Sequence, residues 1–174
     1  VAIGNQNEPD ECAPVIRRPD LLYSVVVESD ERLNADGRVV APRDLGQVLV
    51  ALCSADGKGC RSVAIALLHS YHNAEHDKKL GEMAQQQGFT QVSLSHEASA
   101  LIKRVARGDT TVADAYLTPI LKRYVNQVRD ALGAGTVERL MFMQSNGGLT
   151  DADMFHGRDS ILSGPAGGVV GMVG

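Results

Sequence analysis

The sequence predicts an α/β fold in which a mixed sheet is connected by crossover helices. Residues 62–68 form a continuous apolar run, which is typical of a strand buried on both faces. A helical pattern follows, and residues 89–94 predict the next strand. A strand–helix–strand run of this length favours a parallel pair. The chain has 174 residues, of which 44% are hydrophobic and 22% charged, so it is long and apolar enough to bury a core.

The elements predicted before this unit are short. Residues 1–20 contain three prolines and are expected to be irregular. Residues 21–28 are rich in β-branched side chains and predict a strand. A turn is expected at residues 34–37, where the Asp-Gly pair favours a hairpin into residues 38–40.

Two helices are predicted around the apolar run. Apolar residues at helical spacing indicate a helix over residues 44–52, which Gly57 and Gly59 end. Asn73 is expected to cap the crossover helix and Gly88 to close it.

The second half of the chain centres on a long predicted helix over residues 110–132. Residues 98–105 are expected to form one or two helical turns before it, and residues 139–144 a strand after it that ends in a turn at 145–148. The apolar residues at helical spacing predict its buried stripe; they are Val112, Ala115, Tyr116, Ile120, Tyr124, Val128 and Leu132.

Charge and cysteine usage exclude several classes of protein. The net charge of −4 and the lack of a basic cluster argue against a nucleic-acid partner. No apolar run approaches 18 residues, so we expect no membrane partner, and no signal peptide is visible. Cys12, Cys53 and Cys60 lack a zinc-ligand spacing and predict free thiols in the cytoplasm. Because the chain starts without Met and stops inside a predicted helix, we expect a piece of a longer protein.

The segment from His72 to His76 matches the His-x-x-Glu-His pattern of inverted zinc peptidases. That chemistry needs both histidines on one helical face. Here Asn73 is the natural helix cap and leaves His72 outside the helix. We therefore predict no metal site and a surface helix start.

Ser95, His96 and Glu97 directly follow the second strand of the parallel pair. Carboxyl ends of parallel strands are where α/β proteins place ligands, which makes Ser95 and His96 candidates for substrate binding. The alternative is that Ser95 caps a following helix whose first turn contains Glu97.

The segment 107–111 combines a cation, a glycine and two threonines before the long helix. Asp109 or Thr110 is expected to cap that helix, which leaves Arg107 free to pair with a carboxylate or a phosphate. Arg107 and Thr110 are therefore further candidates for substrate binding.

Two glycine-rich segments lie at residues 145–148 and 163–168. Neither matches a Walker loop or a dinucleotide fingerprint. The second starts like a helix N-terminus, with Pro165 at the first helical position, and such an end suits an anion or a close backbone neighbour. Direct ligand contact and close helix packing both remain open. The residues concerned are Ser145, Asn146, Gly147, Gly148, Ser163, Gly164, Gly167 and Gly168.

Taken together, the sequence resembles the ATP-dependent 5-oxoprolinase/hydantoinase A family. The run Thr-Val-Ala-Asp-Ala-Tyr-Leu-Thr-Pro is more similar to 5-oxoprolinases than to plain hydantoinases, whereas residues 7–18 depart from the family's usual continuation. The stretches that carry the resemblance are 3–6, 21–32, 67–71, 92–97, 107–119, 143–149 and 163–171.

The resemblance implies a fragment of an actin/Hsp70-like ATPase built from ribonuclease-H-like halves. Residues 1–106 would be the C-terminal part of the N-terminal domain, and residues 107–174 the start of the second ATPase domain. The Gly-Gly-Thr-type loops that hold the ATP phosphates would lie outside this chain. Residues 163–174 would cross between the halves, and the eight glycine-rich-segment residues named above would lie near the nucleotide cleft.

The activity implied by the resemblance is ATP-coupled opening of the 5-oxo-L-proline lactam to L-glutamate, with Mg²⁺ and K⁺. Hydrolysis of N-methylhydantoin and a ketone carboxylase subunit are alternatives within the family. The expected partners are a small cyclic amide, the rest of the polypeptide, and a second subunit or further copies. Arg107 would face the substrate carboxylate, and no catalytic base is assigned. In isolation the fragment is expected to be an inert structural module with no bound cofactor.

Overall fold

The computed structural model describes residues 21–29, 32–34, 36, 38–41, 45–133 and 139–173. An antiparallel hairpin comes first, with β1 (Arg32–Leu33) paired to β2 (Val39–Ala41). Asn34 holds the turn, because its Oδ1 accepts the N–H groups of Asp36 at 3.1 Å and Arg38 at 2.8 Å. The predicted turn is thus confirmed. The strand predicted at residues 21–28 is wrong, since this segment makes no strand, and the expectation for residues 1–20 lies outside the described residues.

The parallel pair is confirmed. β3 (Ser62–Ile65) runs into α2 (Glu75–Gln86) and returns as β4 (Gln91–Leu94), with Ser62 opposite Gln91. β3 is shorter than predicted, and Ile65 is its one fully buried residue, so the predicted burial on both faces is only partly realised.

An apolar core joins this unit to α1 (Leu45–Gly57). As predicted, α1 ends at Gly57, and Gly59 follows with a φ of +84°, a conformation that favours glycine. The buried side chains of this core are Val48, Leu52, Ala55, Ile65, Leu80, Ala84 and Phe89. Burial of these apolar groups fixes the strand ends that carry the polar residues described below.

β4 leads directly into α3 (Ser95–Ala98), and α4 (Arg104–Leu132) begins six residues earlier than predicted. The predicted apolar stripe of α4 is mostly wrong, because Tyr116, Ile120 and Tyr124 are exposed. The buried face of α4 is mostly polar instead, with Arg107, Thr111, Asp114 and Thr118 beside Ala115 and Val125. Arg107, Asp114 and Thr118 make hydrogen bonds to other segments, whereas Thr111 Oγ1 donates to the Arg107 carbonyl of α4 itself.

The last part of the chain packs against α4. β5 (Met141–Met143) and β6 (Leu149–Asp151) form an antiparallel hairpin, followed by a 3₁₀ turn, α5 (Gly157–Ser160) and α6 (Ser163–Val173). Phe142 and Phe155 stack with their centroids 5.2 Å apart in a second small core.

Two further findings bear on the predicted organisation. The proposed domain division at residues 106/107 falls inside α4, and it stays a prediction. Within the described ranges, the helices are too short or too polar to span a bilayer.

Candidate functional site

Polar side chains gather at the carboxyl edge of the β3–β4 pair. β4 passes directly into α3, whose first residues are Ser95 and His96. Asp77, in the first turn of α2, contacts both, and Ser70, from the segment after β3, contacts Ser95. We call these four residues the edge cluster. Its position is the one at which α/β proteins usually bind ligands.

Asp77 is the centre of the edge cluster and is fully buried. Its Oδ2 accepts hydrogen bonds from Ser95 Oγ at 3.0 Å and from His96 Nδ1 at 3.2 Å. The start of a helix suits a carboxylate, because its N–H groups carry partial positive charge. Asp77 therefore fixes the orientation of the His96 ring.

His96 presents its second ring nitrogen without a protein partner. An ionised carboxylate only accepts, so a neutral His96 ring that donates to an ionised Asp77 has its proton on Nδ1 and its lone pair on Nε2. Nε2 has no hydrogen-bond partner among the described residues, and a Glu97 carboxylate oxygen lies 3.7 Å away. A histidine oriented by a buried aspartate is equipped to take up and return a proton at Nε2.

A chain of hydrogen bonds connects the edge cluster to Arg107. Ser70 Oγ lies 2.8 Å from Ser95 Oγ and 3.1 Å from the Leu67 carbonyl oxygen, and its single proton can serve either of them. Arg107 donates Nη2 to the carbonyls of Leu67 and Leu68 and Nη1 to that of Leu101. Burial lowers the pKa of Arg107, and the negative charge of Asp77 opposes this shift.

Arg107 clamps the segment after β3 against α4. Its side chain is fully buried, and its guanidinium lies 5.5 Å from the Tyr71 ring centroid. The prediction that Arg107 is free to pair is wrong, because its two terminal nitrogens bind main-chain oxygens. A role for Arg107 toward a substrate carboxylate stays a prediction.

Unpartnered buried polar atoms concentrate around the edge cluster. Asp77 Oδ1, His96 Nε2 and Arg107 Nε lack hydrogen-bond partners within the part of the chain that the structure describes. Buried polar atoms are nearly always satisfied in folded proteins. Their concentration at one strand edge indicates capacity for a polar ligand or for water.

The structure brings Ser95, His96 and Arg107 into one network, but not Thr110. Thr110 lies inside α4 and donates to the Ala106 carbonyl at 2.9 Å. The predicted capping role of Asp109 or Thr110 is wrong, because α4 begins at Arg104. Ser95 does start α3, but its side chain binds Asp77 rather than capping the helix.

The sequence patterns did not indicate Asp77 or Ser70 as members of the candidate site. Asp77 carries only the signal of an acidic residue in the first turn of a helix. Its contacts with Ser95 and His96 join residues 18 and 19 positions apart, which no local pattern predicts.

The glycine-rich segments, which are the candidates for the nucleotide cleft, lie at a second location, where the β5–β6 turn meets α6. A Cβ at Gly147 would lie 3.3 Å from Val170, and one at Gly167 would lie 3.7 Å from Met143. Gly148 N donates to Asn146 Oδ1 at 2.8 Å, while Ser145 Oγ accepts from Leu162 N at 3.0 Å just before Ser163. Gly164 and Gly168 face open space instead. These contacts favour the packing alternative for Gly147 and Gly167.

α5 connects the two locations. Asp114 of α4 accepts from Ser93 of β4 at 2.7 Å and from Arg158 N of α5 at 3.2 Å. The carbonyl of the next residue, Asp159, accepts from both N and Oγ of Ser145. The strand that carries the edge cluster is thereby coupled to the turn at 145–148.

We expect the 174-residue chain to show no micromolar affinity for ATP. Three of the four N–H groups of the 145–148 turn already bind protein oxygens, so the turn offers few donors to a phosphate. Isothermal titration calorimetry with Mg²⁺-ATP measures this, with the full-length protein as the positive control. A saturable heat with a micromolar Kd for the short chain would contradict the expectation.

The zinc-peptidase pattern does not assemble a metal site. His72 lies before α2, which begins at Glu75, and Asn73 Oδ1 accepts the Glu75 N–H at 3.0 Å as expected for a residue at the helix start. Residues that the structure describes contain no group of three or more metal-ligating side chains. Cys53 and Cys60 are free thiols, and Cys12 lies outside the described residues.

Comparison with known proteins identifies the family. A model of the hydantoinase/oxoprolinase N-terminal region matches residues 1–88, and a model described as hydantoinase/oxoprolinase matches residues 107–174. The chain belongs to the hydantoinase/oxoprolinase family. It is 38% identical to a 5-oxoprolinase of Saccharomyces cerevisiae over 97% of its own length and 15% of that relative. The chain therefore spans about a seventh of this curated relative.

Solved structures of two family members share the fold. An ATP-dependent caprolactamase from Pseudomonas jessenii superposes with a TM-score of 0.74 at 25% identity, over 88% of this chain and 24% of that one. A nucleotide-free acetone carboxylase superposes with a TM-score of 0.73 at 22% identity, over 83% and 21%. This hydantoinase/oxoprolinase chain thus has the mixed α/β fold of an actin-like ATPase fragment, as the resemblance implied.

Proposed function

We propose that the full-length protein is an ATP-dependent hydrolase that opens the lactam of 5-oxo-L-proline to L-glutamate. The observation that carries the proposal is the 38% identity to a 5-oxoprolinase over 97% of the chain. An ATP-dependent caprolactamase of the same fold supports cyclic amides as the substrate class. The edge cluster supplies a polar, partly buried group suited to proton transfer in such a reaction.

ATP would supply a phosphoryl group that activates the amide oxygen, since an unactivated amide is a poor electrophile. Mg²⁺ would offset the charge of the transferred group, and K⁺ is a further proposed requirement. The residues of the 145–148 turn and the start of α6 would border the nucleotide cleft without enclosing the phosphates. Three N–H groups of the 145–148 turn already bind protein oxygens, which supports loops elsewhere in the full chain as the main phosphate ligands.

The remaining assignments are part of the same proposal. Residues 1–106 and 107–174 would belong to successive domains of the parent protein, which would act in the cytoplasm, as the free Cys53 and Cys60 thiols support. A second subunit or further copies would complete it. Without the rest of the polypeptide, the chain would be a structural module without activity.

A product assay tests the proposed substrate. The full-length protein, given 5-oxo-L-proline, ATP, Mg²⁺ and K⁺, is expected to release L-glutamate. N-methylhydantoin and a ketone with bicarbonate form parallel arms, the latter because of the fold shared with acetone carboxylase. Turnover in one of those arms, with no glutamate from 5-oxoproline, would replace the proposed substrate by the alternative.

A further inference from the structure

We propose that His96 is the catalytic proton-transfer residue of the ring-opening step and that Asp77 is its positioning residue. This inference rests on the proposed function and assigns a task that neither the family match nor the relatives' names assign. The observation behind it is the edge cluster, in which one ring nitrogen of His96 is fixed and the other has no hydrogen-bond partner within the described part of the chain.

The orientation of His96 is set by Asp77, which Ser95 contacts in turn. Its Nδ1 lies 3.2 Å from Asp77 Oδ2, and the same oxygen accepts from Ser95 Oγ, which Ser70 Oγ contacts in turn. The His96 side chain is 14% exposed, but its Nε2 atom is buried, as is Asp77. A structural histidine that deep is expected to use both nitrogens. His96 uses one, and the other is the atom that proton transfer requires.

The groups around His96 favour a transient positive charge on its imidazole ring. Asp77 of α2 stabilises an imidazolium directly, and Glu97 of α3 lies 3.7 Å from Nε2. Arg107 of α4 opposes them, since it interacts electrostatically with Asp77, but its terminal nitrogens are held by carbonyl oxygens. A protonated His96 is thus an accessible intermediate rather than an isolated buried charge.

The step conserves atoms and charge on a lactam whose oxygen already carries the phosphoryl group from ATP. Nε2 takes a proton from water while the oxygen's electron pair forms the new bond to the ring carbonyl carbon. The C–N bond of the ring then breaks, the nitrogen keeps the electron pair, and the imidazolium returns its proton to that nitrogen. A second water releases the phosphoryl group as inorganic phosphate, so one ATP and two waters are consumed for each glutamate, and His96 is neutral again.

The first test is His96→Asn in the full-length protein. The amide nitrogen of Asn can replace Nδ1 as the donor to Asp77, but nothing replaces Nε2. We expect kcat for glutamate release to fall by about 10²–10⁴-fold, with the KM for ATP changed by less than about twofold. His72→Asn is the matched control, because His72 is exposed and outside the edge cluster, and it is expected to keep wild-type kcat.

Chemical rescue separates proton transfer from a structural role. His96→Gly with added imidazole is expected to recover activity, whereas pyrrole, which has the same shape but no basic nitrogen, is expected not to. For Asp77, the double variant Asp77→Asn/His96→Asn is expected to be no slower than His96→Asn alone, because a residue that acts through His96 adds no further loss. A purely structural Asp77 would lower the rate again.

The outcomes are distinguishable. Full activity of His96→Asn, equal rescue by pyrrole, or no rescue of a folded His96→Gly protein overturns the assignment and leaves the proposed function intact. No glutamate from the wild-type protein overturns the proposed function and the assignment together. A large loss in His96→Asn with rescue by imidazole alone supports both.

Discussion

Replacing Gly157 by alanine is expected to lower the free energy of unfolding by about 3 kcal/mol or more, the range for overpacking combined with a lost buried hydrogen bond. A Cβ at this position would lie 2.6 Å from Thr118 N and 2.7 Å from Leu117 Cβ. Gly157 N also donates to Thr118 Oγ1 at 2.9 Å, and this bond would lengthen as α5 moved away from α4.

Equilibrium urea unfolding of the 174-residue chain, followed by circular dichroism, measures the Gly157 effect. Gly168→Ala is the matched control, because a Cβ there meets nothing within 4 Å and alanine favours the helix by about 0.5–1 kcal/mol. Equal stability of the two variants would contradict the close α4–α5 contact. Because Asp159 of α5 anchors Ser145, the Gly157 variant is also expected to loosen the 145–148 turn.

Replacing Arg107 by methionine is expected to cost about 3–5 kcal/mol of stability, since three part-buried carbonyl oxygens lose their charged donor and methionine supplies no N–H group in its place. The carbonyls concerned belong to Leu67, Leu68 and Leu101, on two segments that these bonds connect to α4. Arg107→Lys is expected to recover part of the loss, because one ammonium cannot reach all three carbonyls in the geometry of the planar guanidinium.

The control for Arg107 is Arg104→Met on the same helix. Arg104 is exposed, so its replacement is expected to change stability by less than about 0.5 kcal/mol. Urea unfolding of both variants gives the comparison. An Arg107→Met protein as stable as Arg104→Met would show that the carbonyl clamp contributes nothing to folding.

The sequence was sufficient for the parts of the fold that local patterns encode. The parallel β3–β4 pair follows from two apolar runs at crossover spacing, and the turn at Asn34 follows from its side-chain chemistry. These signals depend on neighbours a few residues apart, which a single sequence displays directly.

The buried polar contacts could not be predicted in this way. α4 turns its polar face inward because Asp114 and Thr118 find partners on β4 and α5 that lie 21 to 44 residues away in the chain. Tyr116 and Ile120 therefore have the helical spacing of a buried stripe but lie on the exposed side of α4. Gly108 and Asp109 resembled a break before the helix, although α4 passes through both.

The sequence indicated two residues of the edge cluster but not the contacts between its members. Ser95 and His96 were indicated by their place after a strand of a parallel pair. The partner that gives His96 a defined chemistry, Asp77, lies 19 residues earlier and shows only the signature of a helix start. Arg107 was expected to be a free cation because two of its carbonyl partners lie 39 and 40 residues away, and no local sequence pattern predicts such contacts.

The most direct measurement of the proposed activity is the ratio of ADP to L-glutamate formed by the full-length protein from ATP and 5-oxo-L-proline. Tight coupling predicts one ADP for each glutamate and no ADP above background when 5-oxoproline is omitted. Glutamate formed without ATP, or ADP formed at the same rate without 5-oxoproline, would contradict an ATP-dependent lactam hydrolase.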